Sequence, residues 1–122
     1  MKKHILLIDD EPAWLTSVGQ ILRREGYTVK GVATALEALD VLRKFRPDLI
    51  VSDLRMPDMN GFDLLEKIKA LPQVSATPVV FLSAIDDFHA KKVAKELGAA
   101  GCITKPFEQG DLLSSLKQYL PR

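Results

Sequence analysis

The chain has 122 residues, with 47% hydrophobic and 27% charged side chains, which is the size and balance of one folded domain rather than a disordered tail. Its net charge of +1 gives no electrostatic reason to expect direct binding to nucleic acid or to an anionic membrane. The single cysteine excludes an internal disulfide, and the first apolar run, residues 5–8, is too short to span a bilayer. We therefore expect a soluble, cytoplasmic protein without a membrane segment.

Five short apolar runs predict β-strands, and each is followed by residues with helical periodicity. The predicted strands are residues 3–8, 27–32, 48–53, 78–83 and 100–104. The second strand mixes polar and apolar residues, as an edge strand does. The fourth strand is continuously apolar, so we expect it to be buried on both faces.

The predicted helices carry apolar residues every three or four positions. Pro12 suits the first turn of helix 1, and Gly26 suits its end. Thr34 is a plausible N-cap for helix 2, which is predicted to reach Phe45 before Pro47 stops it. Helix 4 is predicted over about residues 87–97, ending at a glycine. The inward-facing stripes are predicted to be Trp14, Leu15, Val18, Ile21 and Leu22 in helix 1; Leu36, Leu39 and Leu42 in helix 2; Leu64, Leu65, Ile68 and Leu71 in helix 3; and Leu112, Leu113, Leu116 and Leu120 in helix 5.

This alternation predicts a single α/β domain over residues 1–122, of the (βα)5 type, with a doubly wound parallel five-stranded sheet between two layers of helices. In the flavodoxin-like strand order 2-1-3-4-5, strands 1 and 3 are neighbours. Functional groups in such sheets gather at the carboxyl ends of the strands, in the crevice where the strand order reverses. The residues that end each strand are therefore the candidates for a site.

Chemically useful side chains end four of the predicted strands. Asp9 and Asp10 follow strand 1, Asp53 ends strand 3, Ser83 ends strand 4 and Lys105 follows strand 5. Three neighbouring carboxylates either shift their pKa values upward or bind a cation, and Mg²⁺ prefers such oxygen ligands. A lysine and a hydroxyl can hold phosphoryl oxygens, so the set predicts a phosphoryl-transfer site with a carboxylate nucleophile. Each residue alone has an ordinary explanation in a turn or helix start, but their joint placement favours the site.

These residues, in this order, resemble the receiver domain of bacterial two-component response regulators over essentially the whole chain. Four segments carry the resemblance: residues 5–11 (ILLIDDE), 53–61 (DLRMPDMNG), 82–84 (LSA) and 105–107 (KPF). The resemblance implies that Asp53 accepts a phosphoryl group from a phosphohistidine on a sensor histidine kinase. It also implies a Mg²⁺ cofactor held directly by Asp10, Asp53 and the backbone carbonyl of Arg55, with Asp9 acting largely through water.

The resemblance further implies that Ser83 and Lys105 hold the phosphoryl oxygens and that the Lys105–Pro106 peptide is cis. Such a domain is a signalling phosphoacceptor rather than an enzyme that turns over an external substrate. Its expected partners are a sensor histidine kinase or phosphotransfer protein, and an output domain or downstream protein. Helix 4, strand 5 and helix 5 form the expected readout surface, which would also carry any weak homodimer of an otherwise monomeric chain.

Two positions are of special interest within this resemblance. The family usually has Tyr or Phe where this chain has Cys102, and the rotamer of that aromatic residue reports phosphorylation. Because cysteine is too small to act as such a lever, we expect a remodelled or weak response of the readout surface. Arg55 lies two residues after Asp53, at a position that varies in the family, and its side chain either shields the phosphoryl group from water or lies in solvent.

Two other protein classes share parts of this pattern. A Mg²⁺-dependent aspartyl phosphatase also has acids after strand 1, but it needs a cap or extra strands for which 122 residues leave no room. An FMN-binding flavodoxin-like domain needs a Ser/Thr/Gly-rich phosphate loop after strand 1, where this chain is acidic. Both a stand-alone receiver domain and one domain of a longer regulator or kinase fit the sequence.

Overall fold

Five β-strands alternate with five α-helices in a computed structural model that describes residues 3–84, 88–105, 107 and 109–120. In chain order the elements are β1 His4–Ile8, α1 Pro12–Arg24, β2 Thr28–Val32, α2 Ala35–Leu42, β3 Leu49–Asp53, α3 Gly61–Lys69, β4 Val79–Ala84, α4 Phe88–Glu96, β5 Gly101–Lys105 and α5 Gln109–Tyr119. In the described part of the chain, no helix has the length and apolar character needed to cross a membrane.

The strands form one parallel sheet in the order β2-β1-β3-β4-β5, which confirms the predicted fold class and the edge position of β2. Ile8 of β1 lies opposite Ser52 of β3, and Asp53 of β3 lies opposite Leu82 of β4. The carboxyl ends of β1, β3 and β4 therefore meet at one edge of the sheet, where the strand order reverses.

The two faces of the sheet pack against different helices, because successive strand residues point to opposite sides. Buried residues of α2, α3 and α4 pack on one face of the sheet, against the strand residues Leu6, Ile50 and Phe81. Buried residues of α1 and α5 cover the other face. Because both faces are covered, β1 and β4 are apolar at nearly every position, as the sequence predicted for β4.

Local capping sets several helix boundaries where the sequence placed them. Pro12 occupies the first turn of α1, and the Thr34 hydroxyl accepts a hydrogen bond of 3.1 Å from the Glu37 N–H at the start of α2. Gly26 follows the end of α1 with a φ of 94°, a left-handed conformation that favours glycine.

The prediction for helix 2 was wrong in two respects. The helix ends at Leu42 rather than Phe45, because the chain turns there to enter β3. Leu36 was placed on the buried stripe, but its side chain is 63% exposed. The buried face instead carries Ala35, Ala38 and Leu42, so small side chains let this helix lie close to the sheet.

Smaller differences concern the ends of the other elements. α3 ends at Lys69, and Leu71 packs against the core from the turn that follows. The described part of α5 ends at Tyr119, one residue before Leu120. The predicted start of helix 4 at residue 87 lies outside the described residues, as does Pro106 with the predicted cis peptide bond.

Candidate functional site

Three carboxylates meet at the carboxyl edge of the sheet. Asp9 and Asp10 follow β1, and Asp53 ends β3; one oxygen from each side chain lies within 4.8 Å of the other two. Asp9 is buried, with 1% of its surface exposed, whereas Asp10 is exposed. The predicted convergence of these three acids is therefore present in the fold.

Strand alternation explains why Asp9 and Asp53 turn to the same side. In β1 the residues Ile5 and Leu7 face α1 and α5, and Asp9 continues that series by two positions. In β3 the series is Leu49, Val51 and Asp53. The hydrogen bonding between β1 and β2 continues one residue past the end of β1, because the Asp9 N–H donates to the Val32 carbonyl at 3.1 Å.

Lys105 reaches the same cluster from the end of β5. Its Nζ donates to Asp9 Oδ2 at 3.0 Å and lies 4.0 Å from Asp53 Oδ2. The other Asp9 oxygen accepts a hydrogen bond of 3.0 Å from the Glu11 N–H, so both oxygens of this buried carboxylate have donors. The resemblance implies that this lysine holds phosphoryl oxygens, and in this structure its ammonium contacts the Asp9 and Asp53 carboxylates.

Burial has the largest effect on the Asp53 carboxyl and raises its pKa above the ordinary value. The Lys105 ammonium acts in the opposite direction, whereas the nearby Asp9 carboxylate raises the pKa further. Hydrogen bonds from the backbone N–H groups of Arg55 and Leu54 also favour the charged form, but they do not reverse the shift. Lys105 and the backbone N–H groups therefore only partly stabilise the negative charge of Asp53, which makes this carboxylate a good partner for a cation.

Ser83 lies on β4, beside the strand that carries Asp53. It follows Leu82, the residue opposite Asp53, so it lies one position further toward the carboxyl edge. The residue is 3% exposed, and its hydroxyl has no hydrogen-bond partner among the described residues. A buried hydroxyl without a partner costs about 1–3 kcal/mol of stability, so it is a candidate to bind a ligand atom.

The loop between β3 and α3 (residues 54–60, here the β3–α3 loop) is held at three points. The Leu54 carbonyl accepts a hydrogen bond of 2.8 Å from the Gly61 N–H, and Asn60 caps α3 through the Asp63 N–H at 2.9 Å. The Asp58 carboxylate accepts hydrogen bonds from two N–H groups at the start of α2, at 3.2 and 3.0 Å. The Arg55 side chain is exposed.

Sequence reasoning missed two residues beside this site. Trp14 was assigned to the buried stripe of helix 1, but it is half-buried and its ring lies 4.5 Å from the Lys105 Nζ. Asp58 was quoted only as part of the segment 53–61, although it caps α2 from 22 residues away in sequence. Neither contact has a local sequence signal, because each joins elements that are distant along the chain.

Cys102 lies on the opposite side of β5 from Lys105 and Ile103. It is half-buried and packs against the core beneath α2, α3 and α4. With Lys91 and Lys95 of α4 it lines a cavity of about 390 Å³. A larger side chain at this position would occupy part of that space.

The fold and the site define a doubly wound α/β domain with three acids and a lysine at the carboxyl edge of its sheet. A family model described as "Response regulator receiver domain" matches residues 5–117. The chain belongs to this family, which excludes the phosphatase and flavodoxin-like alternatives.

Curated relatives extend the comparison. The chain is 31% identical over 121 residues to sporulation initiation phosphotransferase F of Bacillus subtilis, covering 99% of this chain and 96% of that protein. It is 33% identical to the DNA-binding response regulator MtrA of Mycolicibacterium smegmatis, covering 100% of this chain but only 52% of that protein. The chain therefore matches the whole of one relative and about half of another.

Solved structures agree with this assignment. The chemotaxis response regulator CheY4 of Vibrio cholerae superposes with a TM-score of 0.93 at 32% identity, covering 98% of this chain and 100% of that chain. The receiver domain of the sensor histidine kinase PA1611 of Pseudomonas aeruginosa superposes with a TM-score of 0.88 at 27% identity, covering 98% of each chain. The PA1611 structure has a magnesium ion coordinated in its active-site cleft.

Proposed function

We propose that Asp53 is the phosphoacceptor of this receiver domain and takes its phosphoryl group from a phosphohistidine on a sensor histidine kinase or phosphotransfer protein. The observation that carries the proposal is the meeting of Asp9, Asp10 and Asp53 with Lys105 at the edge of the sheet. An Asp53 oxygen attacks phosphorus, the P–N bond of the donor breaks, and the imidazole leaves with the electron pair of that bond and takes a proton.

The donor set fits a Mg²⁺ cofactor. Three carboxylate oxygens within 4.8 Å of one another are hard ligands of the kind that Mg²⁺ binds together with water. Asp10, Asp53 and the Arg55 backbone carbonyl would hold the ion directly, and Asp9 would act largely through water. When bound, the ion neutralises charge on the transferring phosphoryl group.

Lys105 and Ser83 complete the site around the phosphoryl group. The Lys105 ammonium already lies 4.0 Å from an Asp53 oxygen, so phosphoryl oxygens bonded to Asp53 come within its reach. The Ser83 hydroxyl has a donor to offer, since no described residue accepts from it. Both groups gain a phosphoryl partner only in the phosphorylated state, which is what a switch requires.

The energies are sufficient for a switch. A charge-assisted hydrogen bond contributes about 1.5–3 kcal/mol, and a change from 1:99 to 99:1 between two conformations needs about 5.5 kcal/mol. Two or three new contacts to the phosphoryl group therefore account for the switch. We place its readout on α4, β5 and α5, with a remodelled or weak response because Cys102 is too small to replace the aromatic side chain.

We further propose that the whole chain, residues 1–122, is one receiver domain that acts in the cytoplasm. Its partners would be the donor kinase or phosphotransfer protein and a downstream protein or output domain, without direct binding to nucleic acid or membrane. The domain would catalyse only its own phosphorylation and dephosphorylation. A monomer, or a weak homodimer through α4, β5 and α5, is the expected state.

The test is labelling with radioactive acetyl phosphate in the presence of Mg²⁺. The chain should acquire a label that hydroxylamine removes, since hydroxylamine cleaves acyl phosphates. Asp53→Asn should abolish the label, whereas Asp40→Asn, at an exposed site in α2, should leave it unchanged. Full labelling of Asp53→Asn would refute the assignment of the phosphoacceptor.

A further inference from the structure

Trp14 lies beside the lysine of the site. It belongs to the first turn of α1, which begins at Pro12 immediately after the acids that follow β1. The Lys105 Nζ lies 4.5 Å from the centroid of the indole ring, within the range of a cation–π interaction. Phe107 packs against the same indole, with ring centroids 5.4 Å apart and a tilt of 56°.

The lysine is therefore held on three sides. Asp9 Oδ2 accepts a hydrogen bond of 3.0 Å from the ammonium, Asp53 Oδ2 lies 4.0 Å from it, and the ammonium lies over the Trp14 ring. Only 14% of the lysine side chain is exposed. Since a lysine side chain has four rotatable bonds and a strongly hydrated ammonium, such confinement needs specific contacts.

We propose that Trp14 is a positioning residue for Lys105, which keeps the ammonium at the edge of the carboxylate cluster when Asp9 no longer holds it. This inference rests on the proposed function, because it assigns Trp14 a part in phosphoryl transfer to Asp53. A cation at the three carboxylates competes with Lys105 for the charge of Asp9. The ammonium must then find another partner or move into water.

The indole face provides that partner. A cation–π interaction extends to about 6 Å from the ring centroid, so the ammonium can swing from Asp9 toward Asp53 and stay over the ring. Without the ring, the lysine spends part of its time in solvent. The rate of phosphoryl transfer falls in proportion to the fraction of molecules in which Lys105 is in place.

The sequence allows an unusually clean test, because Trp14 is the only tryptophan in the chain. Expression on mono-, di- and trifluorotryptophan changes this one residue, and fluorine weakens the negative face of the ring with little change in its shape. With acetyl phosphate and saturating Mg²⁺, the rate of Asp53 labelling should fall stepwise with each fluorine. The full loss should reach about two- to fivefold, the effect of a cation–π contact near the protein surface.

A second measurement needs neither Mg²⁺ nor phosphorylation. In metal-free buffer, fluorination should raise the equilibrium constant for unfolding of the unsubstituted chain by about two- to fivefold. In Lys105→Met, which has no ammonium over the ring, the same fluorination should leave that constant unchanged. This double-mutant cycle separates the contact with the lysine from ordinary packing of the indole.

The possible results are distinct. A graded labelling rate together with a coupling that vanishes in Lys105→Met supports the role of Trp14. A labelled chain whose rate is the same with every tryptophan analogue refutes that role and leaves the proposed function intact. If fluorination has equal effects on stability with and without Lys105, the ring only packs, and the inference also fails. If unfluorinated chain takes no label at all, the proposed function fails first, and the inference fails with it.

Discussion

Replacing Asp53 by asparagine should stabilise the metal-free chain. At an effective dielectric constant of about 20, Asp9, with a carboxylate oxygen within 4.8 Å of one of Asp53, repels Asp53 by at least about 3.5 kcal/mol, and Lys105 attracts it by about 4 kcal/mol over 4.0 Å. The repulsion from exposed Asp10 is closer to 1 kcal/mol, since water screens it. These charge terms nearly cancel, so the burial of the carboxylate decides the sign. We expect a gain of about 1–2 kcal/mol in the free energy of unfolding, from removing a partly desolvated charge.

The dependence on pH follows from the raised pKa of Asp53. Because the folded state binds its proton more tightly than the unfolded state, the carboxylate lowers stability above the folded-state pKa. That penalty disappears as the pH falls through the folded-state pKa to below the unfolded-state value. The advantage of Asp53→Asn should therefore be complete above the folded-state pKa of Asp53 and should vanish below the unfolded-state pKa.

Urea unfolding in EDTA and in excess Mg²⁺ measures both effects. A ligand at 100 times its dissociation constant stabilises a folded protein by about 2.7 kcal/mol, so Mg²⁺ should reverse the order of the two proteins. Asp40→Asn, at an exposed α2 position 4.0 Å from Arg43, should change the free energy of unfolding by less than about 0.5 kcal/mol. An Asp53→Asn variant that is less stable than the unsubstituted chain in EDTA would contradict this reasoning.

Three further predictions concern the β3–α3 loop and the surface formed by α4, β5 and α5. Gly61→Ala should lower the free energy of unfolding in urea by about 1–3 kcal/mol, because the new methyl group would lie 2.9 Å from the Phe81 ring and 3.0 Å from the Leu54 backbone. Gly110→Ala, whose methyl group would meet no atom within 4 Å, should be neutral or stabilising. Equal effects of the two substitutions would exclude the steric explanation. Asp58→Ala should speed hydrogen exchange at the first turn of α2, whereas Asp58→Asn should largely keep the protection, and exchange unchanged by Asp58→Ala would disprove the cap. Slight burial raises the pKa of Asp58, but its backbone hydrogen bonds outweigh that effect and lower the pKa. The protection conferred by this cap should therefore be complete above the unfolded-state pKa and lost as the pH falls through the folded-state pKa. Addition of beryllofluoride and Mg²⁺ should shift NMR signals near Asp53 strongly and those around Cys102 weakly, and large shifts throughout α4, β5 and α5 would show that the aromatic lever is dispensable.

The fold and the acid cluster could both be predicted from the sequence, for the same reason. Parallel strands that end in Asp9, Asp53 and Lys105 bring these residues to one edge in any sheet with this strand order, so alternation and strand-end chemistry suffice. Leu36 was misplaced because the prediction put the larger side chains inward, whereas α2 lies on the sheet through Ala35 and Ala38.

Contacts between distant elements were beyond the reach of sequence patterns. The stacking of Trp14 on Lys105 and the capping of α2 by Asp58 depend on how the elements pack in three dimensions. The shifted pKa of Asp53 likewise depends on burial and on the positions of Lys105 and Asp9, which only the folded chain defines. Periodicity identifies the face that an element buries, but not the partner that a single side chain meets there.

The most direct measurement for the central claim is chemical mapping of the phosphorylated residue. After phosphorylation by acetyl phosphate with Mg²⁺, borohydride reduces an aspartyl phosphate to homoserine, and peptide mass spectrometry then locates the reduced residue. We predict homoserine in place of Asp53 and at no other aspartate. Reduction at Asp9 or Asp10 instead, or a borohydride-resistant phosphate on Ser83, would contradict the account.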